Sequence, residues 1–162
     1  MIRVFEAVTK RSGNGYRLFI AGGVTNCPDW QAELIKKLMN SEIDVDVDIY
    51  NPRRKNFPIR DKNASHEQIV WEYERLKHAD MISFWFSRGS LNPISLYELG
   101  MWGNSRKTNI VIGVDEEYER IPDVLIQTLL ARPDITLAFS LDELVQQIVE
   151  NINGKHVTDK FK

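Results

Sequence analysis

The sequence predicts an α/β domain built on a parallel β-sheet, and three observations support this fold class. The chain has 162 residues, of which 43% are hydrophobic, which suits one globular domain with a buried core. Short apolar runs alternate with segments of helical periodicity. Three Ser-x-x-Glu or Ser-x-x-Gln spacings indicate helix starts between those runs. Parallel strands need such crossover helices, so we expect a doubly wound sheet.

The elements follow from these patterns in chain order. Five strands are predicted over residues 17–21, 45–50, 81–86, 109–114 and 135–139. Helices are predicted over residues 29–40, 66–79, 96–104, 122–131 and 141–152. An extra N-terminal strand over residues 2–8 should lie at a sheet edge, because the first strand of a 2-1-3-4-5 order already has two neighbours. We therefore expect one flavodoxin-like or Rossmann-like domain over residues 1–153, with a flexible tail over 154–162.

Charge and composition exclude several classes of function. The 21 Lys and Arg residues against 23 Asp and Glu residues create no overall field for binding nucleic acid or a membrane surface. No apolar run reaches the roughly 18 residues of a membrane span, and the charged N-terminal segment does not fit a signal peptide, so we expect a cytoplasmic protein. Cys27 and the three histidines show no metal-ligand spacing, so we expect no metal.

Candidate ligand-binding loops follow the first three predicted strands. Ligands of an open α/β sheet bind outside the carboxyl ends of the strands, where the strand order reverses. These loops contain Gly22-Gly23, then residues 51–54, then residues 87–92. The two glycines either allow close approach of a sugar or phosphate, or simply turn the chain. Because the G-x-G-x-x-G and G-x-x-x-x-G-K-[ST] fingerprints are missing, we expect no dinucleotide or nucleoside-triphosphate cofactor.

Glu72 is unusual for its helix. At roughly 100° per residue, the helix over 66–79 has an apolar stripe, and Glu72 falls inside that stripe. The stripe consists of Ile69, Tyr73, Leu76 and Ala79. A carboxylate that faces the core costs several kcal/mol unless it is paired or opens into a polar cavity. Glu72 is therefore a candidate site residue, or else the partner of Arg53, Arg54 or Arg60 in a buried ion pair.

Glu98 stands at the start of the predicted helix that follows the third strand, beside the point where the strand order reverses. The spacing Ser95-x-x-Glu98 fits a capping box, a motif worth about 1 kcal/mol. A helix N-terminus also favours the ionised carboxylate that a nucleophile must be. Glu98 is therefore a candidate nucleophile, a helix cap, or both.

Several motifs lie along the central part of the chain. They are Ile20-Ala21-Gly22-Gly23, Asn51-Pro52-Arg53-Arg54, Gln68-x-x-Trp71-Glu72, Ala79-Asp80 and Pro93-Ile94-Ser95-Leu96-Tyr97-Glu98-Leu99-Gly100. Together they resemble the nucleoside 2-deoxyribosyltransferase-like family over roughly residues 17–115, and most closely a subgroup with the NPRR and Q-x-x-W-E motifs. In family members with established activity, the Glu of the E-L-G motif attacks the anomeric carbon of a nucleoside. The resemblance therefore implies that Glu98 forms a covalent glycosyl-enzyme.

The resemblance also implies roles for other residues. An acidic residue on the preceding helix assists the departing base, and gapless counting back from Glu98 gives this role to Glu72. Sugar contacts are expected from Phe19, Gly22, Gly23, Ser90 and Asn92. Phe19 stands where the family often has a tyrosine, and Asn92 stands where its transferases tend to have an aspartate. A 5′-phosphate, if the substrate is a nucleotide, would be held by Arg53, Ser87 or Arg88.

Three functions fit these expectations. The first is transfer of the sugar of a (deoxy)nucleoside to another base, and the second is hydrolysis by a nucleoside 5′-monophosphate N-glycosidase. The third is non-catalytic binding of a nucleotide-like ligand. The resemblance further implies a homo-oligomer with its sites near subunit contacts.

Overall fold

A computed structural model describes residues 1–56, 58, 61 and 63–159, the last five by backbone alone. The strands are β1 (Ile2–Glu6), β2 (Tyr16–Gly22), β3 (Val47–Asn51), β4 (Met81–Phe86) and β5 (Asn109–Val114). The helices are α1 (Trp30–Met39), α2 (Ala64–Lys77), α3 (Pro93–Trp102), α4 (Ile121–Ala131) and α5 (Leu141–Asp159). All five strands form one parallel sheet in the order β1-β3-β2-β4-β5. The predicted α/β fold with a five-stranded parallel sheet is confirmed.

The membership of the sheet differs from the prediction at one strand. The N-terminal segment is a full strand, and β1 lies at the predicted edge, beside β3. Residues 135–139, predicted as a strand, contribute a single parallel bridge between Ala138 and Gly113. A turn closed by the backbone hydrogen bond from Ile135 to Arg132 precedes this segment. The side chains of Ile135 and Leu137 are nevertheless buried in the core. This packing holds the segment in place without further backbone hydrogen bonds to β5.

Helices cover both faces of the sheet. On one face, α1 and α5 pack against strand residues such as Leu18 and Ile20. On the other face, α2, α3 and α4 pack against Phe19 and Ala21, because successive strand side chains point to opposite faces. The connections from β2 and from β4 lead to opposite sides of the sheet, so a crevice opens between the carboxyl ends of these two strands.

Two of the three predicted capping boxes are wrong. Ser140 precedes α5, and its Oγ accepts a hydrogen bond from the backbone N–H of Glu143 at 3.1 Å, as predicted. Ser65 and Ser95, in contrast, lie inside α2 and α3. Helix α3 begins earlier than predicted because Pro93 suits a first helical position, where its missing N–H needs no partner.

The predicted apolar stripe of α2 is also wrong in part. Ile69 is 64% exposed and Tyr73 is 45% exposed. The buried positions of the helix include Trp71 and Leu76, because the Trp71 ring packs against Phe19 and Tyr50, with ring centroids 6.3 and 6.2 Å away.

The C-terminal helix extends further than predicted. Helix α5 continues to Asp159, past its predicted end at residue 152, so most of the segment predicted as a flexible tail is helical. Residues 160–162 and Arg60, a predicted partner of Glu72, lie outside the described residues. No helix in the described part of the chain is long and apolar enough to cross a membrane.

Candidate active site

A cavity of about 450 Å³ opens at the carboxyl ends of β2 and β4. Seven of the predicted site residues line it, namely Phe19, Gly22, Gly23, Glu72, Ser90, Asn92 and Glu98. The cavity therefore lies where the rule for open α/β sheets predicts a ligand. It brings together the two carboxylates, from α2 and α3, that the sequence had singled out separately.

Gly22 and Gly23 form the floor of this cavity. A Cβ atom on Gly22 would collide with the Trp30 ring, and one on Gly23 would collide with the Asn92 side chain. The carbonyl of Gly23 accepts hydrogen bonds from Trp30 Nε1 at 2.9 Å and from Gln31 Nε2 at 3.3 Å. The glycines therefore permit close packing of two side chains against the backbone, which a simple turn would not require.

Glu98 points into the cavity from the second turn of α3. Because α3 begins at Pro93, Glu98 is not the third residue of a capping box, and the interpretation of Glu98 as a helix cap is wrong. Burial and, to a smaller extent, the charge of Glu72 together raise the pKa of Glu98 to about 8. Burial thus outweighs the helix N-terminus, which was expected to keep this carboxylate ionised.

Glu72 faces the same cavity from α2. Burial raises the pKa of Glu72, as predicted, and a hydrogen bond from Gln68 opposes that shift. Gln68 Nε2 lies 2.8 Å from Oε1 of Glu72. Within the described part of the chain no salt bridge reaches Glu72, and Arg53, one of its predicted partners, pairs with Asp29 at 3.4 Å.

The two carboxylates titrate as a pair, because the charge of Glu72 raises the pKa of Glu98. The pair loses its last proton at about pH 8, the pKa of Glu98. Between the loss of the first proton and the loss of the last, the cavity therefore offers both a carboxylic acid and a carboxylate. This is the pair of states that general acid and nucleophilic catalysis need from two carboxyl groups.

Asn92 holds the loop between β4 and α3. Its backbone has φ 49° and ψ 51°, a left-handed conformation that asparagine tolerates better than most residues. Its side-chain nitrogen donates to the carbonyls of Ser87 and Ser90, both at 2.8 Å. Both amide hydrogens are therefore used within the loop. Its Oδ1 accepts a hydrogen bond from Cys27 Sγ at 3.6 Å and, as an oxygen with two lone pairs, can accept a second one from a ligand.

The three residues predicted to hold a 5′-phosphate do not line the cavity. Arg53 lies beneath the β2–α1 loop, where it donates to Gln31 Oε1 at 2.9 Å and to the carbonyl of Pro28 at 3.0 Å. Arg88 pairs with Glu117 at 3.3 Å, and Ser87 is buried. Arg53 therefore supports a wall of the cavity from behind.

Sequence reasoning did not assign a site role to several lining residues. These are Val24, Thr25, Pro52, Gln68, Pro93, Ile94 and Ser95. Gln68 could have been found from the Q-x-x-W-E motif, because residues four apart on a helix are neighbours. Among the described residues, no group of three or more His, Cys, Asp or Glu side chains could hold a metal ion.

Comparison with known protein families gives a match over the central part of the chain. A family model described as nucleoside 2-deoxyribosyltransferase like matches residues 15–118. This match covers more than half of the chain and includes β2 to β5, with every residue that lines the cavity. No curated protein matches the chain.

Proposed function

The chain belongs to the nucleoside 2-deoxyribosyltransferase-like family, and from this membership we propose that it cleaves the N-glycosidic bond of a (deoxy)nucleoside and transfers the sugar to another base. The observation that carries the proposal is that Glu98 and Glu72 line one cavity. Two carboxyl groups in different environments can divide the roles of nucleophile and acid between them.

In the proposed first step, the Glu98 carboxylate attacks the anomeric carbon while Glu72 gives its proton to the departing base. The carbon–nitrogen bond breaks with its electron pair on the base, and a carbon–oxygen bond to Glu98 forms. A second base then attacks the anomeric carbon from the vacated face, releases Glu98 and returns a proton to Glu72. Attack by water instead would give hydrolysis.

The location of one proton decides which form of the pair reacts. Up to about pH 8 the free protein keeps the last proton on Glu98, whereas the reacting form needs it on Glu72. Positive charge that develops on the sugar in the transition state favours an ionised Glu98. The substrate itself would therefore draw the pair into its reactive form.

We also propose that a second copy of the chain covers an exposed apolar face of α2 and α3, called here the α2–α3 face. It consists of Ile69, Tyr73, Ile94, Tyr97 and Met101, each at least 45% exposed. The two helices meet there, since the Tyr73 and Trp102 rings lie 5.7 Å apart. Ile94 also lines the cavity, so a homo-oligomer would place a partner subunit at its rim. A cytoplasmic location stays a prediction.

Chromatography of the protein incubated with a deoxynucleoside and a different free base tests the proposed function. A new nucleoside would support transfer. Free base and free sugar would show that the protein is an N-glycosidase. A ligand that is bound but unchanged would rule out both reactions and leave a binding protein.

A further inference from the structure

Gln68 connects the Glu72 carboxyl group to the end of the sheet. It lies one helical turn before Glu72 on α2 and lines the same cavity. Its Nε2 donates two hydrogen bonds of 2.8 Å, one to Oε1 of Glu72 and one to the backbone carbonyl of Pro52. Pro52 directly follows β3. The amide therefore holds one carboxylate oxygen at a fixed place relative to the strand ends.

The orientation of this amide follows from its acceptor at Pro52. If the amide were flipped, its oxygen would face the carbonyl of Pro52, which cannot donate in any protonation state of the site. In the observed orientation Gln68 Oε1 is buried and has no hydrogen-bond partner among the residues that the structure describes. A buried acceptor without a partner destabilises a fold. We therefore expect that Gln68 serves to bind the Glu72 carboxyl group through its amide nitrogen, and that it does not serve to stabilise the fold.

We propose that Gln68 is a positioning residue that confines the exchangeable proton of Glu72 to Oε2. Oε1 can accept the hydrogen bond from Gln68 whether Glu72 is protonated or ionised, so Oε2 remains as the oxygen that gains and loses the proton. This inference rests on the proposed function, in which Glu72 gives a proton to one base and takes a proton from another. With one fixed oxygen, both steps proceed without rotation of the carboxyl group.

Few charged groups face Glu72, which makes the inference measurable. Among the described residues that line the cavity, Glu98 on α3 is the other titratable one, while β2 and the β3–α2 loop contribute Phe19 and Pro52. The hydrogen bond from Gln68 lowers the pKa of Glu72 against the effect of burial. Removal of that bond should therefore raise the pKa of Glu72.

The experiment compares Gln68→Met with the matched control Gln146→Met. Gln146 makes the same contact four residues along α5, from its Nε2 to Oε1 of Glu150 at 2.9 Å. The carboxyl carbons of ¹³C-labelled glutamate are titrated by NMR, and the Glu72 signal is identified by its loss in Glu72→Gln. The pH profile of sugar transfer is measured on the same proteins.

We expect Gln68→Met to raise the titration midpoint of Glu72 by about 0.5–1 pH unit, to lower kcat by roughly tenfold or more, and to move the acid limb of kcat, where Glu72 ionises, to higher pH. Gln146→Met should change none of these. Gln68→Leu is a second variant, because its side chain carries no charge and can neither donate to Glu72 nor accept from it. It should also raise the midpoint.

An unchanged midpoint of Glu72 in a folded variant would overturn the inference, and so would a raised midpoint with an unaltered kcat. The NMR titration needs no turnover. A wild-type protein that acts on no nucleoside would therefore refute the proposed function, while the titration would still decide whether Gln68 controls Glu72.

Discussion

At the scale of single residues, burial determines the properties of the two carboxyl groups. Glu98 has a pKa of about 8 because the cavity removes it from water and places it near another carboxylate. Glu72 experiences the same burial, but the amide of Gln68 stabilises its ionised form. Two residues of one type thus acquire different proton affinities from their neighbours, and the proposed roles require the remaining proton to move from Glu98 to Glu72 when substrate binds.

Substitution of Glu98 by glutamine should abolish turnover and leave the fold intact. A neutral amide fills nearly the same space but cannot attack an anomeric carbon, so kcat should fall by several orders of magnitude. A 2-fluoro-2-deoxyarabinosyl nucleoside, which slows breakdown of a glycosyl-enzyme, should add one sugar mass to the wild type and none to Glu98→Gln by mass spectrometry. Near-normal turnover of the variant would refute the covalent mechanism.

The stability of the protein should depend on pH through Glu98. Its folded pKa of about 8 exceeds the ordinary value for glutamate, so the folded state holds a proton that the unfolded state releases between about pH 4.5 and 8. Stability should therefore decrease as pH rises through this window, by on the order of a few kcal/mol.

Urea unfolding at pH 5 and pH 8 measures this effect. Glu98→Gln removes the titrating group, so the variant should lose less stability than the wild type between the two pH values. Equal losses in both proteins would mean that Glu98 does not titrate in this window.

Turnover should fall as pH rises through about 8, because the pair then loses its last proton and no acid remains for the departing base.

In Glu72→Gln the amide cannot supply that proton, so kcat should drop and the alkaline limb should disappear. The acid limb of this variant should report the ionisation of Glu98 alone, whose pKa burial keeps above its ordinary value. A rate and alkaline limb like those of the wild type would rule out Glu72 as the acid.

At the scale of elements, the residues around α3 show what the sequence could and could not predict. The position of Glu98 after the third predicted strand was enough to place it at the cavity. The start of the helix was not predictable from Ser95-x-x-Glu98, because Pro93 and the left-handed Asn92 begin the helix earlier. A spacing rule identifies the neighbourhood of a helix start, and the backbone conformation before it decides the residue.

The residues of the candidate site likewise divide into those that local sequence patterns could predict and those that they could not. Strand ends and an acidic residue on a helix singled out six of the seven lining residues, because strand ends converge in a parallel sheet, whereas Phe19 was expected from the family resemblance alone. Arg53 does not line the cavity, because its long side chain reaches across to the neighbouring β2–α1 segment, where it binds Gln31. Such a contact depends on tertiary packing, which no local pattern encodes.

Replacement of Asn92 by aspartate should disrupt the β4–α3 loop. A carboxylate cannot donate to the carbonyls of Ser87 and Ser90, so two hydrogen bonds would become repulsive contacts. We expect a loss of about 1–3 kcal/mol of stability in urea unfolding, together with reduced kcat. Asn92→Gly is the control for backbone strain, since glycine accepts the left-handed conformation. If Asn92→Asp is as stable as the wild type, the amide does not hold the loop.

At the scale of the whole molecule, the helices on the two faces of the sheet differ in how much apolar surface they leave exposed to water. On the face with α1 and α5, the side chains of Leu34 and Ile148 are fully buried. On the other face, α2 and α3 leave large apolar side chains in contact with water. A folded monomer rarely exposes such a contiguous patch unless a partner covers it. The exposed positions also explain why the helical periodicity of α2 was misread, because Ile69 and Tyr73 suit an interface between subunits as well as a core.

Introduction of a charge into the α2–α3 face should therefore dissociate the protein. Tyr97 is 69% exposed on α3, so Tyr97→Glu should fold normally, yet a buried carboxylate in the interface would weaken association. Light scattering coupled to size-exclusion chromatography should give a smaller mass for this variant than for the wild type. Because the neighbouring Ile94 lines the cavity, kcat/KM should fall with the mass. Met39→Glu, on the opposite side of the sheet and 54% exposed, is the matched control and should change neither quantity.

A wild type that is already monomeric would refute the interface. A monomeric Tyr97→Glu with full activity would show instead that the cavity works without a partner subunit.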